Sequence, residues 1–276
     1  MRLVVKIAGA LLERREDVQG IARQVAALAH DGHELLVVHG GGKIFTAMLE
    51  RMGIRSRFVA GLRVTDRETR DIAVMVLGGL LNKRLAAAIS AVGQPAVGVC
   101  ASDAAAFLCE PMSHEETSGG LGYVGYLTAV NLEFLESLWR AGVVPVASCL
   151  GLGADGELYN INADHMAAAC AEYICADRLV FLTDVAGVLD GAKVLKAVSC
   201  AEIEELIRQH KVSGGMVLKL EACRRALMGG VRQVRIVGGT LPGGLCAAAH
   251  RAKGPGTRVT PFPPARSKQA LEGVNR

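Results

Sequence analysis

A lysine inside an apolar run, VVKIAGA, is the first group in the 276-residue sequence suited to chemistry. Lys6 falls in a strand pattern, where an ammonium costs desolvation free energy unless it reaches a partner or the mouth of a site. At the edge of a sheet it would simply be a surface charge. Just before Ala8-Gly9, at the carboxyl end of its strand, it would instead meet an anion held on those backbone amides. The next strand pattern ends in VVHGGGK. Gly40, Gly41 and Gly42 permit positive φ and let N–H groups approach an anion with no Cβ in the way, ahead of a helix N-terminus. One glycine suffices for a tight turn, so three point to ligand contact. His39 reads as a packed histidine, because no second histidine or acid lies at metal-ligand spacing, and no metal site is expected.

In GLRVTD, Arg63 is suited either to grip a carboxylate bidentately or to form a surface ion pair. YNINAD brings Asn160, Asn162 and Asp164 to the start of an apolar helix, which either Asn162 or Asp164 is also suited to cap. LTDVAGVLD ends a strand in a polar turn containing Thr183, Asp184 and Gly187, fit for nucleotide contacts. SGGMVLK sets Gly214-Gly215 at a helix start with Lys219 one turn inside, offering amides, a helix dipole and an ammonium to one anion. The segment HGGGK is neither G-x-G-x-x-G nor a P-loop, so a dinucleotide oxidoreductase lacks its phosphate loop there.

The elements that must position these groups are legible as apolar runs alternating with helical periodicity. Strands are predicted at Leu3–Ile7, Leu35–Val38, Ala96–Val99, Val143–Ala147, Leu179–Leu182 and Val234–Val237. Helices are predicted from Val18, at Ile44–Met52, Glu68–Val92, Leu132–Ala141, His165–Cys175 and Ala201–Gln209, and from about Met216 to Met228. Nearly all-apolar strands alternating with helices specify an α/β fold with a parallel sheet covered on both faces, whose ligands bind beyond the carboxyl ends of the strands. The polar, glycine-rich stretch Ala101–Val130 reads as hairpins or a covering lid.

Composition narrows the function classes. The formal charge is only +4 and aromatics are 4%, so neither a basic stripe nor stacking platforms for nucleic acid are present. The longest charge-free stretch, Leu85–Ser102, is cut by Gly93, Gln94 and Pro95, and no membrane span is expected. Eight cysteines include no C-x-x-C pair and sit mostly in apolar runs, as reduced core residues do. MRLVVKIAG enters a strand directly with no signal-like region, so a cytoplasmic location is expected. Glycine, 33 residues, is abundant without any Gly-rich repeat, hence placed rather than scattered.

Taken together, VVKIAGA, VHGGGK, GLRVTD, LNKRL, LGYVGY, YNINADHMA, LTDVAGVLDG, SGGMVLKLEAC and GTRV resemble, in their order, the amino acid kinase family, over about Leu3 to Val259. The resemblance implies an open αβα sandwich with a mainly parallel central sheet. It implies an N-terminal lobe, 1–176, binding an acylated amino acid and dimerising, and a C-terminal lobe, 177–265, binding ATP; the end of the chain, polar and Pro-rich from Pro261, reads as a frayed tail at 266–276. The branch it resembles phosphorylates the γ-carboxylate of N-acetyl-L-glutamate in arginine biosynthesis. Lys6 and Lys219 would be the catalytic ammonium groups and Asp164 the carboxylate that orients both. Gly41, Gly42, Arg63 and Asn160 would hold the acid. Gly9, Thr183, Asp184, Val185, Ala186, Gly187, Val188, Lys211, Val212 and Ser213 would lie along the nucleotide, with Mg²⁺ carried by the ATP phosphates. Ala8 replaces one usual glycine, and Tyr126 a usual acid. The nearest alternatives are a kinase of carrier-linked aminoadipate, against which Gly42 argues, and a catalytically silent binding protein. The strand beginning near Arg2 implies an arginine-insensitive homodimer without a hexamer-forming N-terminal helix; Glu68–Val92, apolar on nearly all sides (Ile72, Met75, Val76, Leu80), is either its contact or a buried core helix.

Overall fold

The computed structural model describes residues 1–112, 120–251 and 254–262, so the tail 266–276 and part of the covering segment lie outside the described residues. Eight strands form the central sheet: β1 (Arg2–Ile7), β2 (Glu34–His39), β3 (Ala96–Val99), β4 (Val144–Ser148), β5 (Arg178–Thr183), β6 (Ala197–Ser199), β7 (Gln233–Gly238) and β8 (Thr257–Thr260). Their order is β6-β8-β7-β5-β1-β2-β4-β3. Strands β7 through β3 in that order run parallel; β8 is antiparallel to β7 and carries β6 parallel to itself.

Alternation along each strand splits the core in two. Val4, Leu36, Val38 and Phe181 pack on one face, Leu3, Val5, Leu35, Val37 and Val180 on the other. Both faces are therefore apolar and both are covered, as a parallel sheet requires. The cover comes from α1 (Arg15–His30), α2 (Gly42–Arg51), α3 (Arg67–Ser90), α4 (Leu132–Arg140), α5 (Ala163–Tyr173), α6 (Cys200–Arg208), α7 (Gly215–Met228) and α8 (Gly244–His250). A second sheet, in the order 158–160, 150–152, 107–111, 125–130, includes the hairpin expected within Ala101–Val130.

Helix α3 changes geometry midway: Val74–Leu81 is π-helical between two α-helical halves. By length and composition its 24 residues would suffice to cross a membrane, but 56% of its most apolar window is buried in the protein. Ile72, Val76, Leu85 and Ile89 all lie in the core, so α3 is a core helix. Of the four residues named for a contact, Ile72 and Val76 are thus spent on the core, while Met75 and, in part, Leu80 reach the surface.

Two further stretches, GLGYVG at 120–125 and GLGADG at 151–156, spell G-x-G-x-x-G. Both lie in strands and turns of the second sheet and neither opens a helix, so neither is a dinucleotide loop.

Candidate active site

Strand β1 lies between β5 and β2, which removes the edge-strand reading of Lys6. The residue is 5% exposed, and only a partner makes such burial tolerable. That partner is Asp164: Lys6 Nζ lies 2.6 Å from Asp164 Oδ1. Lys219 Nζ, from α7, reaches the same oxygen at 2.8 Å. The carboxylate is free for this because Asn162, not Asp164, caps α5, its Oδ1 accepting from the N–H groups of Asp164 and His165. Burial by itself would raise the Asp164 pKa, but the two ammonium groups and their hydrogen bonds outweigh it and hold the acid down at about 2. Burial lowers Lys6, Lys219 adding to the effect and Asp164 opposing it.

The glycine turns close the site from the β1 and β2 ends. None of Gly40, Gly41 and Gly42 has a φ in the left-handed region, contrary to one reason for expecting glycine there. Close approach is the reason instead. A Cβ on Gly9 would lie 2.8 Å from Gly41 Cα, and one on Gly41 would lie 2.3 Å from Leu81 Cδ1 in the π-helical stretch. Ala8 has extended φ and ψ and its N–H donates to Leu182 O at 2.9 Å, so it continues the sheet and its amide is not offered to a ligand. Tyr126, opposite Glu110 in the second sheet, donates to that residue's carboxylate at 2.5 Å. His39 is fully buried; its Nδ1 lies 2.9 Å from Gly40 O and its Nε2 3.2 Å from Asn82 Nδ2. Burial, helped by Lys6, lowers it to about 4, so it is a neutral packed histidine.

Arg63 is buried at 8% exposure, against the surface-pair reading. Its guanidinium lies 4.6 Å from the centroids of both the Phe45 and the Phe58 ring and donates to Ser56 Oγ and, at 2.6 Å, to Thr46 Oγ1. No carboxylate among the described residues forms an ion pair with it. A buried guanidinium held by neutral groups is a ready carboxylate receptor. Phe58 stands opposite Arg63 in a hairpin turning at Ala60-Gly61, both with positive φ. That short turn between FV and LR is the signal by which Phe58 was findable in the sequence.

Lys6, Gly9, Gly41, Gly42, Arg63, Asn160 and Asp164 line one cavity of about 210 Å³. That is below the roughly 300–1,000 Å³ of sites for drug-sized ligands and suits a molecule the size of an amino acid. Leu77, Val124, Cys149 and Ile161, not anticipated, supply apolar wall. Burial pushes the Cys149 thiol up to about 11. Of the residues expected along a nucleotide, Gly9 is in this lining and the others lie outside it. Thr183 ends β5, beside the carboxyl end of β1, and bonds Asp184; Val185 and Ala186 abut Gly238 at the end of β7. Gly187 packs on Thr257 and Val188 is buried in the core. Lys211 lies 3.8 Å from Asp190, Val212 is buried, and Ser213 is exposed ahead of Gly214, whose φ of 54° initiates α7.

Comparison with known proteins gives a consistent answer. The chain is 52% identical over 245 residues to acetylglutamate kinase of Koribacter versatilis, covering 87% of this chain and 91% of that protein. It is 41% identical over 268 residues to acetylglutamate kinase of Brucella canis, covering 94% and 90%. Among solved structures, N-acetylglutamate synthase from Neisseria gonorrhoeae complexed with coenzyme A and N-acetyl-glutamate superposes with a TM-score of 0.84 at 24% identity, over 95% of this chain and 60% of that one. Carbamate kinase of Giardia superposes with a TM-score of 0.66 at 15% identity, over 95% and 99%, and both likenesses show the fold alone. The family model described as "Amino acid kinase family" matches residues 1–238, and with the αβα sheet and the relatives named as kinases it establishes that this chain is a kinase belonging to that family.

Proposed function

We propose that the chain transfers the γ-phosphoryl group of MgATP to the γ-carboxylate of N-acetyl-L-glutamate, giving N-acetyl-L-glutamyl 5-phosphate and ADP, a step of arginine biosynthesis. The observation that carries the reading is the pair of charge arrangements at one cavity: Arg63, without a carboxylate partner among the described residues, and Lys6 with Asp164, whose Oδ1 Lys219 also reaches from outside the lining. Arg63 takes the α-carboxylate, with Asn160, Gly41 and Gly42 around the rest of the acid. This leaves the γ-carboxylate toward the lysines. A carboxylate oxygen then attacks the γ-phosphorus, the bond to the bridging oxygen of ADP breaks, and no proton need move. Positioning and positive charge are therefore the whole task.

Residues 1–176 hold the acid, and residues 177–265 take the nucleotide along Thr183–Val188 and Lys211–Ser213, with Gly9 under the phosphates. Mg²⁺ enters with ATP. Asp164 is the one carboxylate in the lining of the cavity, and its two lysine partners leave it a poor metal ligand. The eight free thiols suit a reducing cytoplasm.

ADP release measured across a panel of acyl amino acids tests the reading. Activity confined to acetylglutamate supports it, and preference for aminoadipate derivatives or no turnover overturns it. Arg63→Lys keeps the charge but loses the fork and the ring stacking, so the KM for acetylglutamate is expected to rise about 10-fold or more while kcat changes less. An unchanged KM would remove Arg63 from the acid site.

The chain is further proposed to form a homodimer across the outer side of α3, where Met75 is 63% exposed beside partly buried Val74 and Leu80. Light scattering is expected to give twice the mass of one chain, and Met75→Glu to give monomers.

A further inference from the structure

At the opposite end of the sheet from Lys6, three metal-ligating side chains converge from two parts of the fold. Asp31 follows the last residue of α1, His33 lies in the turn into β2, and His250 is the last residue of α8. One ligand atom from each lies within 4.8 Å of the other two. His250 Nε2 is 3.3 Å from Asp31 Oδ2, and the two imidazole rings stand 5.1 Å apart between centroids, tilted by 44°. Both ring nitrogens of His33 are shielded from solvent and have no hydrogen-bond partner. An imidazole in that state forfeits the hydrogen bonds it made in water, a cost that a ligand for its lone pair would offset.

We propose that Asp31, His33 and His250 bind a divalent transition-metal ion of the Zn²⁺ or Ni²⁺ class. Two imidazoles and a carboxylate are a borderline N,N,O donor set, which suits these ions better than the all-oxygen shells of Mg²⁺ or Ca²⁺. Bond lengths of about 2.0–2.2 Å require the three groups to draw together around the ion, and water completes the shell. Exposure of Asp31 and His250 makes that adjustment cheap, because neither is locked in the core.

The ion would clamp α8 against the turn between α1 and β2. The same two helices are already joined where the Leu245 N–H donates to Gln24 Oε1 at 2.9 Å. Strand β2 separates His33 from the glycine turn by about 20 Å, so the ion acts on the anchoring of α8 and not on phosphoryl transfer. The inference is independent of the substrate assignment.

The test titrates the metal-free full chain with Zn²⁺ by calorimetry and follows its thermal unfolding with Zn²⁺ or Mg²⁺. We expect close to one equivalent bound and a melting temperature raised by about 5 °C or more at saturating Zn²⁺, with no comparable rise for Mg²⁺. His250→Gln and Asp31→Asn, both at the surface, should melt like the parent without metal, keep its kinase rate, and lose at least about 10-fold in Zn²⁺ affinity. Cys175→Ser removes the one exposed thiol and should bind like the parent. Undiminished binding by His250→Gln, loss of binding in Cys175→Ser, or no binding at millimolar Zn²⁺ would each overturn the site.

Discussion

Lys6→Ala and Lys219→Ala are each expected to lower kcat by about 10²-fold or more while leaving the KM for acetylglutamate within a few-fold. The acid is held mainly by Arg63, so the ground-state complex survives either change. What is lost is an ammonium aimed at charge that grows on the transferring phosphoryl group, and one such donor is worth about 3–4 kcal/mol in a site closed to water. Burial strengthens the effect, because both lysines are at most 6% exposed. Either variant retains one lysine beside Asp164, so the carboxylate keeps a counter-ion and the fold should survive. Steady-state kinetics with both substrates varied checks the split, and a near-native kcat in either variant would sink the assignment.

Asp164→Ala should act first on stability. Removing the shared carboxylate strands two buried ammonium groups, and breaking a buried pair from one side costs about 3–5 kcal/mol. Denaturant unfolding near neutral pH should show the midpoint falling with an unchanged slope. The pH dependence carries a second signature. The folded-state pKa of Asp164 is about 2, below the roughly 3.9 of an unfolded aspartate, so the stabilisation is complete above about pH 4 and is lost as pH falls toward 2. The Asp164→Ala variant should lack that part of the acid slope, and an identical slope in both proteins would mean that the lysines do not hold the carboxylate.

Most of the sheet was legible in the sequence because a parallel strand buried on both faces must be apolar at every position, as in Leu35–Val38. The elements that escaped notice lack that property. Strand β6 is three residues long, β8 is four residues with Arg258 and Val259 between two threonines, and α8 is only seven residues, beginning at Gly244 after Pro242 and Gly243. The π-helical stretch carries the same apolar letters as an ordinary helix, and only its hydrogen bonds distinguish it. In the site, the polar groups were visible because lysine and arginine among apolar neighbours demand an explanation. The convergence of Lys6 and Lys219 on one oxygen was available only through family likeness, since 213 positions separate them and no local rule spans that distance. The apolar wall of Leu77, Val124 and Cys149 left no signal, because such residues look alike in a core and around a ligand.

The π-helical stretch also sets a constraint of length. A regular α-helix advances about 100° per residue, and a π segment accommodates an additional residue within an otherwise α-helical run. Deleting one residue from Val74–Leu81 would restore regular winding and leave the two flanking halves of α3 facing as they do, so the change would fall on the side chains of the stretch itself. Leu77 and Leu81, which the missing Cβ of Gly41 lets approach that turn, both lie inside the stretch and would be re-aimed. The glycine turn and the residue count of the helix above it are thus fitted as a pair, and a substitution that kept every apolar letter could not compensate for a frame shorter by one.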